Sequence, residues 1–353
     1  MKPLKILLGN NTLSLLAGSE TWTYTLALAL KKLGHEVFCY SPSLGIISDE
    51  LAKENIVSFN QISTSGVKPF SFVLEEPVDH NYDVIISAHW HIVEHLRKQF
   101  PKTPIISVIH GIIHKEETPE GIVKAPEHPA LEAGVNQFVS VSEEVQALLK
   151  KEYNIDSVII RNFIDVQCFK EKRKISKTPK QFLINTNYNG KDDEEIKVIR
   201  EVAKHYGAKL TALGQNFSQT FDTFKAINDA DVVLGMGRSV LEGVAAGRLG
   251  IVHGRWGTGG VVCESMINEL RAKNFSGRNN NGLVSSKEQL IEMIDKFYNR
   301  TTIDWGKNYV AREHNAMIAA ESFVQIARDL TGQNITRPVE PPMKKYRKAK
   351  DAG

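Results

Sequence analysis

Short apolar runs bounded by loop residues alternate with amphipathic stretches along most of the chain. Leu4–Leu8 is apolar and breaks at Gly9-Asn10-Asn11. After a loop, Ser19 stands at a helix N-cap position, and Trp22, Leu26, Ala29, Leu30 and Leu33 recur at helical spacing up to a stop at Gly34. Glu36–Tyr40, Asp83–Ser87, Pro104–Ile109, Gln137–Val141 and Val158–Ile160 read as further strands. The polar stretch Lys170–Lys180, with Pro179, reads as a linker. The alternation then restarts, with strands at Gln181–Asn185, Lys209–Leu213, Asp231–Leu234 and Leu249–His253. Helices are expected near Glu194–Tyr206, Thr220–Asn228, Ser239–Ala246, Val262–Lys273 and Lys287–Tyr298, and one long helix from Trp305 to about Leu330. Short apolar strands separated by helices predict parallel sheets covered on both faces, an α/β protein. Two such units of similar size place a ligand crevice at the carboxyl ends of the strands.

Composition changes this picture little. A length of 353 residues suits two domains, and 42% hydrophobic with 24% charged residues is ordinary for a globular protein. No run approaches the ~20 apolar residues of a membrane span, and the start meets Gly9 too soon for a signal peptide. Cys39, Cys168 and Cys263 are widely separated, which suggests a reducing, cytoplasmic compartment and neither a disulfide framework nor a zinc site. The net charge of +3 is unevenly spread. From Gly332 onward, Arg337, Lys344, Lys345, Arg347, Lys348 and Lys350 face only Glu340 and Asp351, so the body is near neutral. That argues against a nucleic-acid binder. The tail, with three prolines, predicts disorder and weak attraction to an anionic membrane surface.

Candidate chemistry gathers after the strands. In Leu234-Gly235-Met236-Gly237-Arg238-Ser239, a strand ends, two glycines permit close backbone approach and a helix begins. Such a turn offers backbone N–H groups to an anion, and Arg238 adds a bidentate donor. Glu242, one turn on, suits the hydroxyls of a ribose, so a nucleoside diphosphate fits better than plain phosphate. A tight turn with a surface Arg238–Glu242 pair is the plainer reading. Gly18-Ser19-Glu20 opens the first helix in the equivalent slot of the other unit, and is at the least a capped helix start. His110 closes the strand Pro104–Ile109, as a hydrogen-bond donor, a base or a loop residue without a role. His91-Ile92-Val93-Glu94-His95 has the spacing of a zinc-peptidase motif, but no third ligand accompanies it, and a histidine-rich strand end near a sugar site explains it better. Lys191 is a further candidate for phosphate contact, and the Arg255–Gly260 segment is either a loop that wraps an anionic or sugar ligand or an ordinary flexible turn.

Together these segments resemble a GT-B glycosyltransferase of the family 4 sugar-nucleotide type. The similarity runs through Gly18-Ser19-Glu20-Thr21-Trp22, Leu33-Gly34-His35-Glu36-Val37, Ile109-His110-Gly111, Val139-Ser140-Val141-Ser142-Glu143-Glu144 and Arg161-Asn162-Phe163-Ile164-Asp165, in order, and resumes at Ala230–Gly243. The resemblance implies two Rossmann-like, doubly wound domains facing across a cleft. Residues 1–166 would form the acceptor-side domain and 167–304 the nucleotide-sugar domain, with 305–331 crossing back to the first domain and 332–353 a basic tail. It further implies transfer of a sugar from a nucleotide diphosphate sugar to an acceptor hydroxyl in glycan, polysaccharide or lipid-linked saccharide synthesis; no metal cluster of Asp residues is evident in the sequence, so metal independence is expected. Gly18, Lys191, Gly235, Gly237, Arg238, Ser239 and Glu242 would bind the donor. His110 would contact the transferred sugar, and His110 or Glu20 would serve as base in an inverting enzyme. The family's first glutamate, eight residues before the second, is absent: Leu234 stands there. That keeps open a non-catalytic GT-B glycan-binding or scaffold protein, or a GT-B nucleotide-sugar epimerase.

Overall fold

The computed structural model describes residues 2–61, 81–111, 117–118, 121–122, 134–187, 190, 193–254, 256–278 and 285–333. The first domain is built on β1 (Lys5–Gly9), α1 (Gly18–Lys32), β2 (Glu36–Tyr40), α2 (Ile46–Lys53), β3 (Val57–Phe59), β4 (Val84–Ala88), α3 (Trp90–Gln99) and β5 (Ile105–Ile109). A small hairpin, β6 (Glu117–Thr118) and β7 (Gly121–Ile122), precedes β8 (Gln137–Ser140), α4 (Glu143–Tyr153) and β9 (Ser157–Ile159). Seven strands pair in the order β3-β2-β1-β4-β5-β8-β9, all parallel. Every residue of β4 and β5 is buried, because helices cover both faces and no position faces water.

The second domain comprises β10 (Gln181–Asn185), α5 (Glu194–His205), β11 (Lys209–Leu213), α6 (Phe224–Asp229), β12 (Val232–Gly235), α7 (Arg238–Ala245), β13 (Leu249–Gly254), β14 (Gly257–Val261), α8 (Ile267–Ala272), α9 (Lys287–Phe297) and α10 (Arg300–Glu313). Its strand order is β11-β10-β12-β13-β14. Strand order reverses between β1 and β4 in one sheet and between β10 and β12 in the other, which creates the crevices where α/β sheets take ligands. The glycine-rich stretch expected as a loop is a strand: β14 runs antiparallel to β13 across a bulge at Val252/His253 and forms the sheet's edge. The helix expected over Val262–Lys273 is correspondingly shortened to α8.

Two further expectations are corrected. Lys170–Lys180 is no free linker. Glu171 pairs with Arg300 and Lys307 at 2.8 and 2.9 Å, and the buried Asp231 takes Arg173 and the backbone N–H groups of Ser176 and Lys180. These ion pairs fasten the stretch to the second domain. The long C-terminal helix is two helices, α10 and α11 (Ala316–Thr331), broken at His314-Asn315. The break has a polar cause: Asn315 Oδ1 caps α11 by accepting from Met317 N at 3.0 Å. Buried His314 places Nδ1 2.6 Å from the Asn162 carbonyl. Ile164 N–H donates to His314 O and Ala316 N–H to Ile164 O, so both interdomain crossings of the chain are bonded to each other. Beyond this point α11 lays Ala320, Phe323 and Ala327 against Trp22 and Leu26 of α1, within the first domain's core.

Asn315→Ala is expected to lower stability by about 1 kcal/mol, and Asn315→Asp, whose carboxylate can cap the same N–H, to be near neutral. Urea unfolding of the three proteins checks this. Equal losses in both variants would show that the cap is not what breaks the helix.

Candidate functional site

The carboxyl ends of the two sheets face each other across a cavity of about 810 Å³, lined from the first domain by Gly18–Thr21, Thr25, His89 and His110 and from the second by Asn185–Asn187, Met236–Ser239 and Glu242. On the second domain, β12 ends at Gly235, where a Cβ would lie 2.9 Å from Ser239 Cβ and 3.0 Å from the Asn185 carbonyl. Gly237 follows with φ +55° and ψ −124°, a conformation only glycine adopts without strain. The expected helix start at Ser239 is moved one residue earlier, to Arg238, with Gly237 as N-cap and no side chain capping this end. A helix N-terminus left open toward a cavity is an anion site by geometry.

Arg238 lies almost wholly inside. Its Nη2 donates to Thr25 Oγ1 of α1 at 2.9 Å, and Glu242 Oε1 is 3.8 Å away. Its Nε and Nη1 have no partner among the described residues. Buried guanidinium N–H groups are costly to leave unpaired, so the arrangement is complete only with an added acceptor. Burial raises the Glu242 carboxyl to about 7 against the opposing pull of Arg238. Burial also depresses the Arg238 guanidinium.

On the first domain, α1 begins at Gly18 with Ala17 as N-cap and no side-chain cap. Ser19 is therefore not the cap but the helix's second residue, whose Oγ donates to Glu20 Oε2 at 3.0 Å. A Cβ on Gly18 would meet nothing within 4 Å, so the space before this helix end is open. Glu20 is 4% exposed, and burial raises its pKa despite hydrogen bonds from its own N–H and from Ser19. His110 sits edge-on to Trp22 at 4.8 Å, and its Nε2 has no partner among the described residues. Burial, with the charges of His89 and Arg238, brings its pKa down to about 3. At neutral pH it is a neutral hydrogen-bonding group and a weak base. Burial thus moves the two candidate bases in opposite directions, Glu20 up and His110 down.

The other sequence candidates fall elsewhere. Lys191 and Arg255 lie outside the described residues. Leu234, at the position of the missing glutamate, is a core residue of β12. The zinc-like spacing is not used as such: His91 Nε2 is 2.7 Å from Asn11 Oδ1, and His95 stacks on Tyr40 at 5.2 Å. Among the described residues no three His, Cys, Asp or Glu side chains converge on a metal position. Sequence reading missed Thr25, the Asn162–Asn274 bond at 2.9 Å, Arg278 bound to Glu144 at 3.1–3.2 Å, and the 214–223 loop, whose Phe221 packs edge-on to Tyr24 at 5.1 Å. Each joins side chains more than a hundred positions apart, and nothing local marks them.

Residues 16–167 match the model of the family described as Glycosyltransferase Family 4. The chain has the GT-B fold, and its first domain is similar to glycosyltransferase family 4. Among solved structures, the GT-B chain is similar to a glycosyltransferase from Rickettsia africae ESF-5, at 14% identity and TM-score 0.63, covering 94% of this chain and 100% of that one. It is also similar to Anabaena HepE in complex with UDP and glucose, at 10% identity and TM-score 0.60, covering 92% and 99%. A UDP-N-acetylglucosamine 2-epimerase shares the fold at 11% identity and TM-score 0.55, covering 96% and 99%. At these identities the likeness concerns the fold, and that fold hosts both transfer and epimerisation. A search of curated proteins by sequence found no match.

Glu242 makes the pH dependence of this GT-B protein's stability a test of the site. With its folded pKa near 7 and an ordinary value of 4.5, the native state holds an extra proton between these values. Stability from this group therefore falls as pH rises from about 4.5 to 7, by roughly 3 kcal/mol. In Glu242→Gln that component is gone, so the variant gains on the wild type as pH is raised from 5 to 8. Urea unfolding at both pH values measures the difference, and a difference independent of pH would refute the burial.

Proposed function

We propose that the protein transfers a sugar from a nucleotide diphosphate sugar to an acceptor hydroxyl. The observation that carries the reading is Arg238, buried between the domains beside Glu242 with two guanidinium donors unpaired among the described residues. The diphosphate would take those donors and the open end of α7 across the Gly235–Ser239 turn, and Glu242 would accept from the ribose hydroxyls. Gly18 leaves room for the diphosphate and the acceptor, and neutral His110 hydrogen-bonds the transferred sugar. In the transfer, the acceptor oxygen bonds to the anomeric carbon as the bond to the diphosphate oxygen breaks. The acceptor proton passes to a cleft carboxylate, for which Glu20 is best placed, and the diphosphate leaves with its charge met by Arg238 and helix dipole. Lys191 is a second phosphate ligand in this reading. These groups neutralise the leaving group without a metal.

Arg238→Ala and Glu242→Ala are each expected to weaken nucleoside diphosphate binding at least tenfold, the worth of one charge-assisted hydrogen bond of about 1.5–3 kcal/mol. Calorimetry with UDP, GDP and ADP reads this, and donor turnover in the presence of a chelator should match turnover without it. Unchanged affinity in both variants would overturn the donor site. Leu234 in place of a glutamate favours one second reading, a non-catalytic GT-B protein, and binding of a donor without turnover would select it.

The setting we infer is glycan, polysaccharide or lipid-linked saccharide synthesis in the cytoplasm, at the inner face of a membrane, supported by the basic composition after Gly332. Deleting residues 333–353 should abolish co-sedimentation with anionic vesicles. Unchanged co-sedimentation would refute this role.

A further inference from the structure

β4 passes into α3 through His89, which has a φ of +65°. Residues with a Cβ rarely take such a backbone, and those that do cluster where a side chain must be held in one place. His89 lines the interdomain cavity, and its Nε2 is buried without a partner among the described residues. Ala88 pairs with Val108 in the sheet, so His89 and His110 extend from neighbouring strand ends. Both residues line the same cavity, and each has a buried Nε2 without a partner among the described residues. Burial lowers the pKa of both, so the pair is neutral at physiological pH. A neutral imidazole both gives and takes hydrogen bonds, which suits a hydroxyl better than a phosphate.

The next residue points to what carries that hydroxyl. Trp90 is 40% exposed, and its ring stands edge-on to His91 at 5.5 Å. His91 is held by Asn11, in the loop that continues to Leu16 and Ala17 at the cavity wall. Trp90 is not itself in the cavity lining, but an exposed indole one residue beyond the cavity-lining His89 offers a flat apolar face to the C–H side of a sugar ring. We propose that the His89-Trp90 strand end is a carbohydrate acceptor subsite: His89 hydrogen-bonds a hydroxyl of the acceptor's reactive sugar, and Trp90 stacks on the ring beyond it. The acceptor class is then a saccharide of at least two rings. This rests on the donor reading for the direction of transfer, but the subsite is testable by itself.

The test uses the full chain, His89→Asn, Trp90→Ala and Trp90→Phe. Asparagine is among the side chains most tolerant of positive φ, so His89→Asn keeps the turn while removing the ring. Each protein is titrated with UDP, GDP and ADP and with an array of soluble oligosaccharides of defined sequence, and thermal melts confirm folding. The expected result is wild-type binding of at least one oligosaccharide, weakened tenfold or more in His89→Asn and Trp90→Ala and largely kept in Trp90→Phe. Nucleotide affinity should stay within about threefold. The subsite is overturned if no oligosaccharide binds, or if His89→Asn and Trp90→Ala bind it like wild type. Absence of nucleotide binding in the wild type would instead remove the donor reading, leaving the oligosaccharide arm to decide the subsite.

Discussion

The two sheets face each other because the chain crosses between them twice at one place and the crossings are bonded together. Ile164 and Ala316 exchange backbone hydrogen bonds with the opposite segment, and buried His314 anchors on the Asn162 carbonyl. Everything in the cleft depends on this junction. It sets the carboxyl ends of β1, β4 and β5 opposite those of β10 and β12, and it lets α11 return to the first domain while α10 stays on the second. A single uninterrupted helix over the same residues could not do both. The polar break at His314-Asn315 is thus an architectural requirement, satisfied by a cap and a buried imidazole.

Around that junction, charge is used in two opposite ways. Where the chain needs fastening, buried charges are fully paired: Glu171, which burial alone would push up, is drawn down to about 2 by Arg300 and Lys307. Arg248, 1% exposed, bonds to the carbonyls of Asn228, Ala230 and Ala246. In the cleft, pairing is left incomplete. Among the described residues, Arg238 has two donors without a partner and His89 and His110 each have one such nitrogen, while Glu242 is raised toward neutrality. Such groups cost stability in the free protein and regain it only when a ligand supplies the missing partners. Buried atoms without a partner among the described residues also occur away from the cavity, at Arg161, His253 and Arg328, so what distinguishes the cleft is that several of them gather around one cavity.

Much of the site was legible locally. The Gly235–Arg238 turn and His110 at a strand end follow from strand–glycine–helix spacing, since each needs only a few consecutive residues. Ser19 misled because a serine before a helical pattern is a good cap, whereas Ala17 takes the cap position and Ser19 turns to Glu20. The Gly257–Val261 stretch misled because glycines lower strand propensity, which pairing with β13 overrides. His89 stands just before the His91–His95 spacing that suggested metal, and its significance lies in a backbone angle that spacing does not encode.

By itself the sequence determined the alternation of strand and helix, the doubling into two α/β units and the polar residues that end each strand. Those properties are set by neighbours along the chain, through periodicity and turn chemistry. Only the tertiary structure decided which strand ends meet. Thr25 reaches Arg238, Phe221 reaches Tyr24, Asn274 reaches Asn162 and Arg278 reaches Glu144 because the double crossing brings distant surfaces into contact. It alone decided the protonation of the cleft. A carboxyl near 7 and an imidazole near 3 come from burial, and burial belongs to the fold.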